Sequence, residues 1–250
     1  MNDQNEQQPI LRICHLYPDE MNLYGDYGNI IALKKRAEWM GIKTVVTNIG
    51  IGDTLVSDDF DLFFMGGGMD IDQIDVFEDL KENKKDEIKK AVEQEKVFLL
   101  VCGAYQLFGK YFLTVDNQRI EGLGILGIET IGGNERCIGN ISVKTEIDGE
   151  EATLVGFENH SGQTFLDKDT TPFAIVEKGF GNNTKDNYEG VRYKNVIGTY
   201  MHGSFLPKNP EVADYLIKLS IGHSDKQIVL TNLPSKKEEL EAKTAIVTSL

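Results

Sequence analysis

One stretch constrains this chain more than any other: Val97-Phe98-Leu99-Leu100-Val101-Cys102-Gly103-Ala104-Tyr105-Gln106. Five consecutive apolar residues without alternation suit a strand buried on both faces of a parallel sheet. The run stops abruptly at Cys-Gly, and the residues beyond can start a helix. A sharp turn there lifts the Cys102 thiol out of the strand and onto the N-terminus of that helix, where the dipole favours thiolate over thiol. Gly103 removes the Cβ that would crowd such a turn. The pattern is that of a nucleophile elbow with Cys in place of Ser. On these residues alone, a buried structural Cys at a strand end remains an equal alternative.

The flanking sequence extends the same architecture. Ile10 to Leu16 reads as a first buried strand, followed by an amphipathic helix from Gly28 to Met40 that Gly41 stops. Lys43 to Ile49 and Asp61 to Met65 read as further strands, the latter ending in Gly66-Gly67-Gly68. Residues 75 to 95 read as one long charged helix with Ile88, Ala91 and Val92 as its buried seam. A short helix follows from Ala104 towards Tyr111. Strands and helices alternating at this spacing predict an α/β fold, a mostly parallel central sheet with helices on both faces.

After residue 120 glycine becomes frequent. Cys137 to Ile147, Ala152 to Phe157, Phe173 to Lys178 and Tyr188 to Tyr193 read as antiparallel or mixed strands. Asn195 to Tyr200 reads as a strand again, leading into His202-Gly203, and Glu211 to Ile221 has helical period. The simplest division is one domain over residues 1–250, with a core of about 10–222 and a tail of about 231–250. In that tail, Lys236 to Ala242 can form a last helix that is frayed or partner-bound.

Composition narrows the partners. Forty acidic against twenty-six basic residues give a net charge of −14, which argues against a nucleic-acid backbone as ligand. No apolar run of about 18 residues occurs, so no membrane insertion is expected. The N-terminus shows no basic-then-apolar signal pattern. Three Cys in 250 residues are too sparse for a disulfide framework. A reducing, cytoplasmic setting is the expectation.

A thiol nucleophile needs a base, and His202 ends a strand a hundred residues downstream of Cys102. In a doubly wound sheet, ligand chemistry gathers at the carboxyl ends of the strands, so both side chains belong on one rim. The glycine run ends its strand on that same rim. One of its amides together with the amide of Gly103 can form an oxyanion hole, although a plain tight turn also uses glycine.

Gly122-Leu123-Gly124-Ile125-Leu126-Gly127 fits the dinucleotide fingerprint only as letters, because no first strand precedes it and no clear amphipathic helix follows. Cys14-His15 lacks partners at metal spacing. No metal site and no Walker loop are legible. Arg136, after Gly132-Gly133, has the chemistry to bind a carboxylate bidentately, although a lone loop arginine is usually just solvated. His160, in the dense polar turn Phe157-Glu158-Asn159-His160-Ser161-Gly162, is a second imidazole candidate without an elbow partner.

The Cys102 elbow, the glycine run and the late His202 together resemble class I glutamine amidotransferases. Phe157-Glu158-Asn159-His160-Ser161-Gly162 and Tyr200-Met201-His202-Gly203 narrow the resemblance to the CobB/CobQ-like branch. Within it, His15-Leu16-Tyr17-Pro18-Asp19 and Leu23-Tyr24-Gly25-Asp26-Tyr27-Gly28-Asn29-Ile30 look like the GatD family, the glutaminase subunits of lipid II isoglutaminyl synthase. The similarity runs from about residue 12 to about residue 222.

The resemblance implies a flavodoxin-like fold and hydrolysis of L-glutamine to glutamate and ammonia. It implies a heterodimeric partner, a MurT-type Mur ligase, that amidates the D-glutamate of the lipid II stem peptide. No cofactor is implied in this chain, ATP and Mg being expected on the partner. Carried over by motif, Cys102 is the nucleophile, His202 the general acid/base, and Arg136 the holder of the glutamine α-carboxylate. Gly67 and Gly103 supply oxyanion amides, and Gln106 joins them as a substrate-binding residue.

Two positions depart from the pattern. The wider class carries Glu two residues after the His, where this chain has Ser204. Gln is expected after the glycine run, where Met69 stands. With no third triad member visible, a carboxylate from the ligase subunit is one expected source for orienting His202. Two other readings stay open: a glutaminase for another synthetase, as in cobyrinic acid amidation, and a catalytically silent scaffold that binds a ligase.

Overall fold

A computed structural model describes residues 8–68, 70–115, 118–202, 205–222, 235 and 237–249. The first half alternates β1 (Ile10–Leu16), α1 (Tyr27–Trp39), β2 (Lys43–Ile49), β3 (Leu62–Met65), α2 (Asp70–Asp79), α3 (Lys85–Glu93), β4 (Val97–Val101) and the short α4 (Gly103–Leu107). The second half is strand-rich: β5 (Tyr111–Leu113), β6 (Arg119–Glu121), β7 (Ile128–Ile147), β8 (Glu150–Leu166) and β9 (Ala174–Lys178). Then come β10 (Tyr188–Glu189), β11 (Val191–Tyr193), β12 (Val196–Thr199) and β13 (Met201–His202). Three helices close the chain: α5 (Phe205–Lys208), α6 (Pro210–Gly222) and α7 (Lys237–Ser249).

The central sheet has the strand order β11-β12-β4-β3-β1-β2, and all its pairings are parallel except β11 with β12. Every residue of β3 and β4 is buried, which requires a covering layer on each face of the sheet. The apolar run Val97–Val101 is therefore the middle of the core. Its Phe98 ring stacks on Phe63 of the neighbouring strand at 4.4 Å between centroids.

The second sheet, β10-β9-β7-β5-β6, is built around a long antiparallel ribbon of β7 with β8, and β13 adds to β8. This ribbon is much longer than the two strands expected from sequence, at 20 and 17 residues. Its register breaks between Gly132 and Cys137, and that bulge puts Arg136 on an irregular stretch of backbone.

The long charged helix is not continuous. A π-helical turn over Leu80–Lys84 separates α2 from α3. It carries Lys84 into the core, beside Asp79 and over the Tyr17 ring. Burial pushes the Asp79 carboxyl up, but hydrogen bonds from Lys84, Asn83, Tyr17 and the Gly52 amide outweigh it and hold the group down at about 2.

The tail helix is docked rather than frayed. The Arg36 guanidinium on α1 donates to both oxygens of Asp214 on α6 (2.5 and 3.0 Å) and to Glu239 on α7 (2.9 Å). Lys243 on α7 donates to the Thr153 carbonyl on β8 at 2.8 Å.

Because Asp79 titrates below its ordinary range, its contribution is present above the unfolded carboxylate value and is lost as the pH falls through about 2. Asp79→Ala leaves Lys84 buried without its counter-charge. It is expected to cost about 3–5 kcal/mol in urea denaturation at neutral pH.

Candidate active site

Three parallel strand ends and the loop after β1 build the site. β4 stops at Val101, and Cys102 takes φ +51°, ψ −107°, a left-handed backbone that only a tightly determined turn imposes on a residue with a Cβ. α4 begins immediately at Gly103, so the thiol stands at a helix N-terminus, as an elbow requires. The Cys102 amide donates to the Thr199 carbonyl at the end of β12 at 2.8 Å, tying the elbow to the strand that leads to His202.

His202 lies against Gly67 and Cys102. A Cβ built on Gly67 would sit 2.5 Å from His202 Cε1 and 3.3 Å from Cys102 Cβ, so the absence of a side chain there lets ring and sulfur share one space. Sequence reasoning placed the Gly67 amide in an oxyanion hole. The structure corrects that role: Gly67 N–H donates to Asp26 Oδ2 at 2.8 Å and is occupied by the carboxylate. Gly103 provides the first amide of α4, which has no acceptor within its own helix.

Asp26 is the residue that sequence reasoning missed. Fully buried, its carboxylate faces His202 Nδ1 at 3.1 and 3.3 Å. With Nδ1–H donated to Asp26, the other ring nitrogen is directed to chemistry. Nε2 is buried, and Cys102 acts on the ring through both its charge and a hydrogen bond.

Burial disfavours the charged ring. The Cys102 charge and the Asp26 carboxylate overcome it, raising His202 to about 10. Asp26 of this chain is thus placed to orient the ring. Asp26 lies in the glycine-rich block before α1, which carries the family resemblance without marking Asp26 for any role. Met69 and Ser204, the two departures from the family pattern, lie outside the described residues.

A cavity of about 320 Å³ opens over the pair, lined by Tyr24, Cys102, Gln106, Arg136, His202 and the Asn159–Gly162 segment. Cys102, Gln106, Arg136 and His202, read separately from the sequence, therefore meet in one space. Arg136 Nε donates to Asn159 Oδ1 at 2.5 Å and Nη2 to the Tyr24 hydroxyl at 3.3 Å. Tyr24 takes φ +52° and sets its ring edge-on to His202, 5.0 Å between centroids. Arg136 and Tyr24 are exposed at the mouth, whereas Asp26 and His202 are sealed beneath.

Gln106 is nearly buried, and its Nε2 donates to the Tyr200 hydroxyl at 3.0 Å. His160 stacks on Tyr200 at 3.7 Å and lines the cavity from the ribbon side, and its Nδ1 donates to the Gly162 carbonyl at 2.7 Å.

A thiol on a strained elbow, faced by an imidazole that a buried carboxylate orients, defines a cysteine hydrolase or acyl-transfer site. Residues 12–210 match the CobB/CobQ-like glutamine amidotransferase domain, and the chain belongs to that family. It is 43% identical over 208 residues to the lipid II isoglutaminyl synthase (glutamine-hydrolyzing) subunit GatD of Staphylococcus aureus, covering 83% of each chain. Against the corresponding GatD subunit of Streptococcus pneumoniae it is 42% identical over 212 residues, 84% of this chain and 80% of that one. Among solved structures, PurLQS from Thermotoga maritima shares the fold with a TM-score of 0.57 at 18% identity, covering 86% of this chain and 96% of that one.

Gly67→Ala drives a methyl group into the His202 ring. It is expected to abolish glutamine hydrolysis while the circular dichroism spectrum stays that of the parent. Asp26→Asn keeps the shape but not the charge or the tautomer. A loss in kcat of up to about 10⁴-fold is expected from ammonia-release assays. In an NMR titration the His202 ring of the parent is expected to stay protonated until about pH 10, with a lower midpoint in Asp26→Asn. Because this pKa is raised, the pair's contribution to stability is present below the ordinary histidine value of about 6.5 and is lost as pH rises through the folded one.

Proposed function

We propose that this chain is the glutamine-hydrolysing subunit of a lipid II isoglutaminyl synthase, producing ammonia for a MurT-type ligase partner. One observation carries the reading: the elbow Cys102, the Asp26-oriented His202 and Arg136 surround one cavity, in a chain 42–43% identical to GatD subunits over four-fifths of both lengths. The similarity to cobyric acid synthases spans less: 33% over 138 residues and 27% of the Methanococcus maripaludis protein, and 37% over 139 residues and 26% of the Listeria welshimeri one. A cytoplasmic location and L-glutamine as substrate belong to the same proposal. No described helix is long and apolar enough to cross a membrane.

The chemistry follows from the placement of the groups. L-Glutamine enters with its α-carboxylate on the exposed Arg136 fork, releasing that fork from Tyr24, and its carboxamide over Cys102. The sulfur attacks the carboxamide carbon, and the oxyanion forms against the Gly103 amide at the start of α4. The His202 imidazolium gives its Nε2 proton to the departing nitrogen as the C–N bond breaks. This leaves a thioester and free ammonia. The neutral ring, still held by Asp26, then takes a proton from water. The hydroxide adds to the thioester carbon, the C–S bond breaks, and glutamate leaves. The proton remains on the ring and the sulfur is restored. Burial of the pair keeps bulk water from competing before glutamine arrives.

Cys102→Ala is expected to abolish glutamine-dependent ammonia release and labelling by diazo-oxo-norleucine, measured by mass spectrometry. Arg136→Ala removes a charged contact formed on binding. An increase in the glutamine KM of about 10–100-fold with little change in kcat is expected. Reconstitution with the Mur-type ligase, ATP and lipid II tests the acceptor, and absence of glutamine-dependent amidation would refute it.

A further inference from the structure

The chain changes sheets twice at one level. Gly190, at φ +63°, separates β10 in the second sheet from β11 in the first. Tyr200 separates β12 in the first sheet from β13 in the second. A strand leaving its ladder leaves amides without partners, and a buried N–H in that state costs about 1–3 kcal/mol.

The carboxyl of Glu189, fully buried at the end of β10, meets this need. Its Oε1 accepts the Tyr200 N–H at 2.7 Å and the Thr199 hydroxyl at 2.9 Å. Thr199 Oγ1 in turn accepts the Met201 N–H at 3.0 Å. Both amides of the crossover depend on one carboxyl. The same three residues touch the chemistry at each end: the Thr199 carbonyl accepts the Cys102 N–H, and His202 follows Met201 directly.

We propose that Glu189 is a positioning residue for the glutaminase reaction, whose carboxyl fixes the crossover at Tyr200 and through it sets His202 against Cys102. The proposal rests on the reading of Cys102 and His202 as the reacting pair. Glu189 touches neither side chain and acts through the backbone between them.

The titratable groups around this carboxyl are Glu158 on β8, Tyr105 on α4 and Tyr200 in the crossover itself. Burial lifts Glu189 to about 8 against the hydrogen bonds from Tyr200 and Thr199, and the charge of Glu158 adds to the lift. Burial also holds the Tyr105 and Tyr200 hydroxyls protonated. Below about pH 8 the carboxyl is neutral. Above it, the anion holds its two donors at Oε1 more tightly but leaves Oε2 buried without a partner among the described residues and near Glu158, and this buried charge shifts the crossover and His202 with it.

The test is the pH dependence of glutamine hydrolysis by the full chain, with Glu189→Gln and Glu189→Ala beside the parent. In the parent, kcat is expected to fall as pH rises through about 8. Glu189→Gln keeps a neutral acceptor oxygen. Its kcat at pH 7 should stay within about twofold of the parent, with the alkaline fall displaced towards the titration of His202. Glu189→Ala should lose about 10–100-fold in kcat while the glutamine KM moves less than about threefold, because the Arg136 cavity is untouched.

A Glu189→Gln profile that still falls at about 8, or a folded Glu189→Ala with parental kcat, overturns the proposal. If Glu189→Ala does not fold, the Glu189→Gln profile decides. Should the parent not hydrolyse glutamine, the reading of the reacting pair fails. The NMR shift of the His202 ring then decides on Glu189 separately: a step near pH 8 in the parent that Glu189→Gln lacks supports the coupling, and its absence in the parent refutes it.

Discussion

Parallel pairing of β4 with β12, with Val101 opposite Thr199, is the constraint on which the site depends. It ends two strands at one level and joins their ends through the Cys102 amide and the Thr199 carbonyl. The Cys102 thiol and the His202 imidazole, a hundred residues apart in sequence, then need only one residue and three residues of further chain to meet. The left-handed backbone at Cys102 is of a kind that costs about 1–3 kcal/mol. β4, buried along its whole length among β3, β12 and the covering helices, supplies the packing that imposes it. Loosening that strand would relax the elbow before it unfolded the sheet.

The parts of the fold with an unambiguous period were legible in the sequence. The unbroken apolar runs of β3 and β4 could only be doubly covered strands, and the Gly run and Cys-Gly marked where they stop. The ribbon was legible only in part, because Gly132, Gly133 and the bulge before Cys137 interrupt the alternation that announces a strand. β5 and β6 are three residues each, too short for any period. The π-turn at Leu80–Lys84 was hidden because its one added residue shifts the apolar seam without any breaker residue to announce it.

The site divides in the same way. The meeting of Cys102 and His202 on one rim was legible because each stands at the end of a strand of the parallel sheet. Asp26 was not, since an aspartate just before a helix reads as a cap. Only the third dimension shows its carboxylate turned away from α1 towards the Gly67 amide and His202. Glu189 was hidden more completely. A glutamate in a polar hairpin sequence looks solvated, and nothing local reveals that two sheets close over it.

A carboxylate already in place changes what a partner has left to control. The imidazole is oriented by a residue of its own chain, sealed from solvent, and charged through neutral pH by Asp26 and the Cys102 charge. Asp26 and His202 lie beneath the surface of the described residues. Recognition is arranged differently. Arg136 and Tyr24 are exposed, come from the β7 ribbon and the loop after β1, and are held to each other by one 3.3 Å hydrogen bond. Chemistry is therefore built on strand ends whose geometry the core dictates, and binding on a bulge and a strained loop residue that can shift at small cost. This separation leaves the mouth of the cavity free to shift while the distance from sulfur to imidazole stays set by β4 and β12.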